Sequence, residues 1–172
     1  MKKIYSLIVF FTLLISVSYA QKAAESKVVS HKAHNEGWLV SVQEAYELSE
    51  KTGKPIMANF TGSDWCGWCT RLTANVFSHK EFKDWAAKNV VLLELDYPRR
   101  TQMPQELKEQ NAGMQQAFGV NGFPTVWVFK MKKNKDQFNI IPFGKTGYAA
   151  DVIQFTSAAE QIIAQGKASN GI

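Results

Sequence analysis

Cysteine is scarce in this chain of 172 residues, which holds only Cys66 and Cys69. A disulfide gains most from closing a long loop, and two cysteines three positions apart close almost none. No second cysteine pair is present to complete a zinc ribbon. A chain of this length with 45% hydrophobic residues can bury a core without covalent staples. We therefore expect the cysteine pair to serve chemistry and not stability.

Strong charge is also absent. The formal net charge is +5, and it falls to +3 if the first 20 residues, which include two lysines, are removed. A charge this small on a chain of this size argues against nucleic-acid binding. Internal repeats and low-complexity tracts are absent too, so we expect one ordinary globular domain.

Long apolar runs are missing as well. The run Ile4–Val17 has 14 residues, whereas a membrane-spanning helix needs about 18 to 20. Two lysines precede this run, and the small-residue pattern Ser18-Tyr19-Ala20 follows it. This pattern is typical of a secretory signal peptide cleaved after Ala20, in preference to an uncleaved anchor.

The predicted signal peptide divides the chain into three parts. Residues 1–20 are the signal, residues 21–36 are a polar, flexible lead-in, and residues 37–172 form the domain. An exported protein reaches the periplasm or the medium, where paired cysteines are commonly oxidised.

Hydrophobic periodicity predicts alternating strands and helices. The expected elements are a strand at 38–40, a helix from Ser41 to Gly53, a strand over 55–60, a helix over 70–76, a helix from Ser78, a strand over 90–95, a helix ending near Phe118, strands over 125–129 and 138–143, and a helix over 150–164. Pairs of Ser and Glu at 41/44 and 78/81 are typical of helix capping boxes. This order predicts an α/β fold with a mixed central sheet of four to five strands flanked by helices.

The stretch "DWCGWCT" joins the end of a predicted strand to the start of a predicted helix. Cys66 would then lie at a helix N-terminus, where unpaired N–H groups and the helix dipole favour a thiolate. Such sites lower a cysteine pKa from about 8.5 toward 7 or below. Cys66 could attack a disulfide, and Cys69, one turn further on, could resolve the mixed disulfide. The spacing permits both reduction and oxidation of a substrate.

Other uses of the pair fit the sequence less well. Covalent haem attachment needs a histidine directly after the second cysteine, and residue 70 is threonine. Zinc binding needs two further ligands, and His79 is the only histidine nearby. We therefore predict no metal.

"WCGWC" after a buried strand resembles the active site of the thioredoxin superfamily, and "FTGSDWCGWC" is similar to that of exported bacterial thioredoxin-like proteins. "GVNGFPT" is similar to the segment in which thioredoxins hold a cis-proline facing the cysteines. The resemblance covers about residues 37–166. It implies a thioredoxin-like fold, a cis bond at Pro124, and a substrate strand paired with the backbone of Phe123. It also implies that the Cys66–Cys69 disulfide is the redox group, without a cofactor.

The tryptophans of the motif are expected to contact substrate. By resemblance, Trp65 lies beside the nucleophile, and Trp68 is expected to be exposed on the helix. Gly67 and Trp68 replace the Gly-Pro of thioredoxin and the Gly-His of protein disulfide isomerase. Because tryptophan adds no charge that would stabilise a thiolate, this pair favours a reductant.

The sequence departs from thioredoxin in the strand before the motif. Thioredoxins carry a buried aspartate there, but the best-matching residue here is Asn59, which cannot titrate. Proton transfer from Cys69 would then use water or another acid, for which Glu94 on the neighbouring strand is the candidate.

A second departure is the segment Tyr97–Gly113, which is longer than the corresponding thioredoxin connection by roughly a dozen residues, more than a connecting loop usually needs. It is either a solvated extension of the following helix or a docking element in which Arg99 and Arg100 meet an acidic partner.

The function predicted is a monomeric thiol:disulfide oxidoreductase that acts on protein disulfides or thiols outside the cytoplasm, as a reductant. Such a reductant needs electrons from a membrane partner. The alternatives are a disulfide oxidase or isomerase, and a chaperone-like binding module in which redox chemistry is incidental.

Overall fold

The structure is a computed structural model that describes residues 31–135 and 137–171. The predicted signal peptide (1–20) and residues 21–30 of the predicted lead-in lie outside the described residues. Residues 31–36 lie within them, and Asn35 in this stretch is buried.

The described chain forms one mixed sheet of four strands with five α-helices. The strands are β1 (Ile56–Thr61), β2 (Val91–Asp96), β3 (Thr125–Asn134) and β4 (Gln137–Thr146), and the helices are α1 (Val42–Thr52), α2 (Gly67–Leu72), α3 (Lys80–Asn89), α4 (Gln105–Phe118) and α5 (Val152–Asn170). The strand order is β2-β1-β3-β4; β1 and β2 are parallel, whereas β3 is antiparallel to both of its neighbours. The predicted fold class is confirmed, with four strands.

The core is divided between the two faces of the sheet. Because successive side chains of a strand point to opposite faces, Met57 contributes to one cluster and Ile56, Ala58 and Phe60 to the other. The first cluster packs against α2, α3 and α5, and includes Phe82 and Phe155. The second packs against α1 and α4. Each fully buried phenylalanine or isoleucine contributes roughly 1.5–3 kcal/mol.

Local chemistry sets most of the helix ends as predicted. Ser41 Oγ accepts a hydrogen bond from the Glu44 N–H at 3.3 Å at the start of α1. Gly53 and Gly119 end α1 and α4 in the left-handed region, with φ of 72° and 58°. Glycine adopts this conformation without the steric cost of a Cβ.

The predicted cap at Ser78 is wrong, since the N-cap of α3 is His79. Between α2 and α3 the chain forms a π-helical turn, Thr73–Phe77. The Thr73 carbonyl accepts hydrogen bonds from both the backbone N–H of Ser78, at 2.9 Å, and the Ser78 hydroxyl, at 2.8 Å. Ser78 therefore ends the π-turn and does not begin α3.

The predicted strand at 38–40 is a single bridge between Leu39 and Leu93. Leu39 exchanges two backbone hydrogen bonds with β2 at 3.0 and 2.8 Å. A left-handed Gly37 precedes it, and Ser41 already caps α1, so too few residues remain for a strand. In contrast, β3 and β4 are longer than predicted, because the lysine-rich turn continues the antiparallel ladder.

Among the described helices, none has both the length and the apolar composition required to cross a membrane.

Candidate active site

The two cysteines lie where β1 passes into α2. Cys66 is the N-cap of α2, and it forms a disulfide with Cys69, with 5.2 Å between the Cα atoms. The Cys69 N–H donates to Cys66 Sγ at 3.2 Å. A backbone N–H directed at this sulfur would stabilise a Cys66 thiolate once the disulfide is reduced.

Both cysteines are buried, Cys69 slightly more than Cys66. Cys66 is 7% exposed and Cys69 is 3% exposed. Cys69 lies further into the helix, one turn before the fully buried Leu72 of the core. This is the order expected of a nucleophile that meets the substrate first and a second thiol that resolves the product.

The second motif lies beside the first. The peptide bond between Phe123 and Pro124 is cis. The Phe123 ring packs edge-on against Trp65 with 5.8 Å between centroids, and it also contacts Tyr97 at 5.1 Å. Thus "WCGWC", "GVNGFPT" and the start of the 97–113 segment converge at one surface.

Trp65 is held in place by two contacts. Its Nε1–H donates to the Tyr97 carbonyl at 2.8 Å. Its indole also lies against Gly62, where a Cβ would stand 2.4 Å from the nearest ring atom. A tryptophan fixed in this way offers a rigid apolar face next to Cys66.

Trp68 is 54% exposed and packs edge-on against Tyr148, with 4.9 Å between ring centroids. Tyr148 lies between β4 and α5, and its hydroxyl accepts a hydrogen bond from Asn75 Nδ2 at 3.2 Å. The sequence predicted the exposure of Trp68 but missed Tyr148. No local pattern indicates that a tyrosine 80 residues away lies beside the motif.

Asp64 is a further site residue that the sequence did not reveal. Its carboxylate accepts hydrogen bonds from three consecutive backbone N–H groups, those of Arg99, Arg100 and Thr101, at 2.9, 2.7 and 2.8 Å. These bonds, that of Arg99 first, lower the pKa of Asp64 from 3.8 to about 2. The 97–113 segment is therefore attached to the active-site loop at its start.

Two arginines stack on the two tryptophans of the motif. The Arg99 guanidinium carbon lies 3.8 Å from the centroid of Trp65, and that of Arg71 lies 4.7 Å from Trp68. Cation–π contacts at exposed sites contribute about 0.5–1 kcal/mol. Arg71 was not singled out by the sequence, although its position three residues after Trp68 on a helix places both on one face.

The predicted proton-relay residues lie opposite each other on adjacent strands. Asn59 of β1 is in register with Glu94 of β2, and both are buried. Within the described residues, the Asn59 Oδ1 has no hydrogen-bond partner. In the described part of the chain, neither side chain is hydrogen-bonded to a cysteine.

Glu94 has partners in the segment before α1. Its carboxylate accepts hydrogen bonds from the His34 N–H at 2.5 Å, and from the backbone N–H and Nδ2 of Asn35 at 3.0 and 2.6 Å. Burial nevertheless raises the pKa of Glu94 above its ordinary value, more than these bonds lower it.

Trp68 and Tyr148 present exposed aromatic rings next to the cysteine motif. A groove of about 630 Å³ lies elsewhere, at the edge of β2 beside Trp38, Leu48 and Ala86, and neither cysteine lines it. Across residues 31–135 and 137–171, no cluster of three or more His, Cys, Asp or Glu side chains could hold a metal ion. An exposed aromatic surface around a disulfide suits a polypeptide substrate better than a small molecule enclosed in a pocket.

Comparison with known proteins agrees with this geometry. A family model described as thioredoxin-like matches residues 37–130. Disulfide bond reductase DsbH of Chlamydia pneumoniae is 33% identical over 113 residues, which are 65% of this chain and 68% of that protein. Thioredoxin-related protein DsbJ of the same organism is 27% identical over 137 residues, 79% of this chain but only 38% of that protein.

Solved structures show the same fold. A structure of DsbH oxidoreductase superposes with a TM-score of 0.63 at 24% identity, covering 80% of this chain and 92% of the other. A thioredoxin from Thermus thermophilus superposes with a TM-score of 0.55 at 16% identity, covering 77% and 92%. The chain therefore belongs to the thioredoxin-like family, and it is a thiol:disulfide oxidoreductase whose redox group is its own Cys66–Cys69 disulfide.

Proposed function

We propose that this protein reduces protein disulfides outside the cytoplasm, with Cys66 as the nucleophile and Cys69 as the resolving thiol. The observation that carries the proposal is the Cys69 N–H directed at Cys66 Sγ beside a rigid aromatic surface. The direction of the reaction is supported by the 33% identical relative, which is named a disulfide bond reductase. The uncharged Gly67–Trp68 pair between the cysteines also favours reduction.

The reaction has two exchange steps. The Cys66 thiolate attacks one sulfur of the substrate disulfide, forming a mixed disulfide, and the other substrate sulfur leaves as a thiolate that is protonated by solvent. Cys69 then loses its proton and attacks Cys66 Sγ. This attack releases the second substrate thiol and forms the Cys66–Cys69 disulfide, so that two electrons have passed to the substrate.

The surface around the cysteines binds the substrate. Trp65, Gly67 and Trp68 supply the apolar area on the motif side, and the backbone of Phe123 next to Pro124 pairs with an extended substrate segment. Such main-chain pairing gives affinity with little dependence on sequence.

The proton of Cys69 passes through water to Glu94. Asn59 lies nearer in sequence to the motif but cannot accept a proton. Glu94 lies on the same face of the sheet as Asn59, with which it is in register. Because burial raises its pKa, Glu94 is a better proton acceptor than an ordinary carboxylate.

Export and partners complete the proposal. Residues 1–20 act as a signal peptide cleaved after Ala20, residues 21–36 are the lead-in, and residues 37–172 act as a monomeric domain in the periplasm or the medium. After each turnover, a membrane-bound thiol protein reduces the Cys66–Cys69 disulfide again, since soluble reductants of the cytoplasm do not reach this compartment.

The deciding measurement is the reduction potential of the Cys66–Cys69 pair, obtained by equilibration in glutathione or dithiothreitol buffers and trapping of free thiols. We expect a value near −270 mV, which is the thioredoxin end of the scale. A value of about −120 to −180 mV, the range of dedicated oxidants and isomerases, would replace reduction with disulfide formation or shuffling.

Two cysteine variants test the roles of the thiols. Cys69→Ser should accumulate a mixed disulfide between Cys66 and the substrate, because the resolving thiol is gone. Cys66→Ala should lose all turnover. If Cys66→Ala kept the full chaperone effect on an aggregating client while the reductase activity of the native protein proved negligible, a binding module would be the better description.

A further inference from the structure

The arginines of this protein are concentrated at one place. The chain has 20 basic residues, of which only Arg71, Arg99 and Arg100 are arginines. Arg71 follows the motif on α2, and the other two belong to the loop that Asp64 holds by its hydrogen bonds. The remaining 17 of these basic residues are lysines. The redox site therefore carries guanidinium groups, whereas the rest of the chain carries ammonium groups.

Arg99 and Arg71 are oriented by the tryptophans on either side of Cys66 in the sequence. Their guanidinium carbons lie 3.8 and 4.7 Å from the ring centroids of Trp65 and Trp68. At such distances the cation lies over the face of the ring, which leaves the in-plane N–H groups directed outward.

The hydrogen-bonding capacity of these groups is unused. In the part of the chain that the structure describes, the ion pairs involve lysines and a histidine, and no guanidinium group donates to a protein acceptor. Both arginines are exposed. A guanidinium group presents five donors in a fork that fits a carboxylate bidentately.

The backbone beneath Arg99 is fixed in advance. Three N–H groups of residues 99–101 bind the Asp64 carboxylate, and Trp65 binds the Tyr97 carbonyl. A side chain held by stacking on a fixed backbone loses less entropy on binding than a free surface lysine. Asp64, whose carboxylate already binds these N–H groups, contributes one negative charge near the site, against the three positive charges of the arginines.

We propose that Arg71 and Arg99 bind Asp or Glu side chains that flank the reacting cysteine of the substrate protein, so that the enzyme selects acidic disulfide segments. This inference rests on the proposed function of the same site. The tryptophans provide the apolar contact area, and the stacked guanidinium groups add charge selectivity at its border.

Binding to the oxidised protein tests the selectivity without turnover. The probes are two synthetic peptides with one sequence, in which serine replaces the cysteine and the flanking residues are either Glu or Lys. We expect the native protein to bind the Glu peptide at least about tenfold more tightly at low salt. The preference should shrink at 0.5 M salt, because exposed charges are screened there.

The double variant R71Q/R99Q should reduce this preference about fivefold or more, since it removes both guanidinium groups that would pair with the Glu side chains. The matched control K88Q/K167Q, which removes the same charge from exposed helix positions, should leave the preference unchanged. Equal binding of both peptides, or an equal loss in both double variants, would overturn the inference.

Turnover on bis(2-hydroxyethyl) disulfide, a small neutral substrate, tests the reductase chemistry separately. If this substrate is not reduced while the Glu peptide is still preferred, the proposed function fails and the acidic docking surface stands. If this substrate is reduced by the native protein but no peptide preference exists, the docking inference fails alone.

Discussion

The backbone N–H of Arg99 donates to the carboxylate of Asp64 at 2.9 Å, across 35 positions of the chain. Asp64 lies two residues before Cys66, and Arg99 lies near the start of the 97–113 segment. One carboxylate therefore joins the redox loop to the segment between β2 and α4. The sequence left open a solvated helix extension and a docking element; in the structure, residues 105–113 belong to α4, and this contact ties the start of the segment to the redox loop.

Removing the Asp64 carboxylate should release this connection. In Asp64→Ala the three N–H groups of residues 99–101 lose their shared acceptor, and we expect their amide hydrogen exchange to quicken by about tenfold or more. In Asp64→Asn, which keeps one side-chain oxygen, these amides should exchange at rates between those of the native protein and those of Asp64→Ala. Unchanged exchange at these amides in the alanine variant would show that the carboxylate does not hold the loop.

The same contact predicts a dependence on pH. The pKa of Asp64 is about 2 in the folded protein against an ordinary 3.8. Its contribution to stability is therefore complete above pH 4 and is lost as the pH falls toward 2. Exchange at residues 99–101, corrected for the intrinsic effect of pH, should quicken in this window in the native protein only, with Asp64→Asn as the comparison.

Gly62 should tolerate no larger residue. A Cβ there would stand 2.4 Å from the Trp65 ring, and relieving such overlap in a packed region costs about 1–3 kcal/mol. We expect Gly62→Ala to lower the free energy of unfolding by that amount in urea titrations. The control Gly113→Ala, in an open position within α4, should stabilise by up to about 1 kcal/mol.

Glu94 should make stability fall as the pH rises. Because burial raises its pKa above 4.5 in the folded state, the folded protein holds this proton more tightly than the unfolded chain. Stability linked to Glu94 is then complete below about pH 4.5 and declines as the pH rises toward the folded pKa. Urea titrations between pH 4 and 8 should show this decline in the native protein but not in Glu94→Gln.

Asn59→Asp tests whether this protein accepts the buried acid of thioredoxin. Asn59 is 1% exposed, and burying a carboxyl raises its pKa by up to 3–5 units. At about 1.4 kcal/mol per unit, we expect a loss of roughly 3 kcal/mol or more at pH 7 and a smaller loss at pH 4. The exposed control Asn139→Asp should change stability little at either pH, and equal losses in both variants would contradict the burial argument.

Local chemistry made much of this fold predictable. The glycines at 53 and 119 end helices as expected, and the buried strands follow the apolar runs. The cysteine spacing and "GVNGFPT" were sufficient to identify the family, because these short motifs carry their own geometry. The strand predicted at 38–40 was wrong since its neighbours Gly37 and Ser41 already serve a turn and a cap.

Contacts between distant residues were not predictable. Tyr148 meets Trp68, and Asn35 meets Glu94, only because the completed sheet brings their segments together. The same holds for the attachment of residue 99 to Asp64. A single sequence contains no periodic signal for such pairs, so the aromatic and charged surroundings of the cysteines emerged from the tertiary structure.

The stacking of arginine, and not lysine, on Trp65 and Trp68 has a practical consequence. Amine-reactive reagents couple to the primary amines of lysine, and guanidinium groups have none. Labels or solid supports attached through the 17 lysines would leave the cations at Arg71 and Arg99 unmodified. The protein could thus be immobilised by its amines while the charged border of its redox face stays chemically intact.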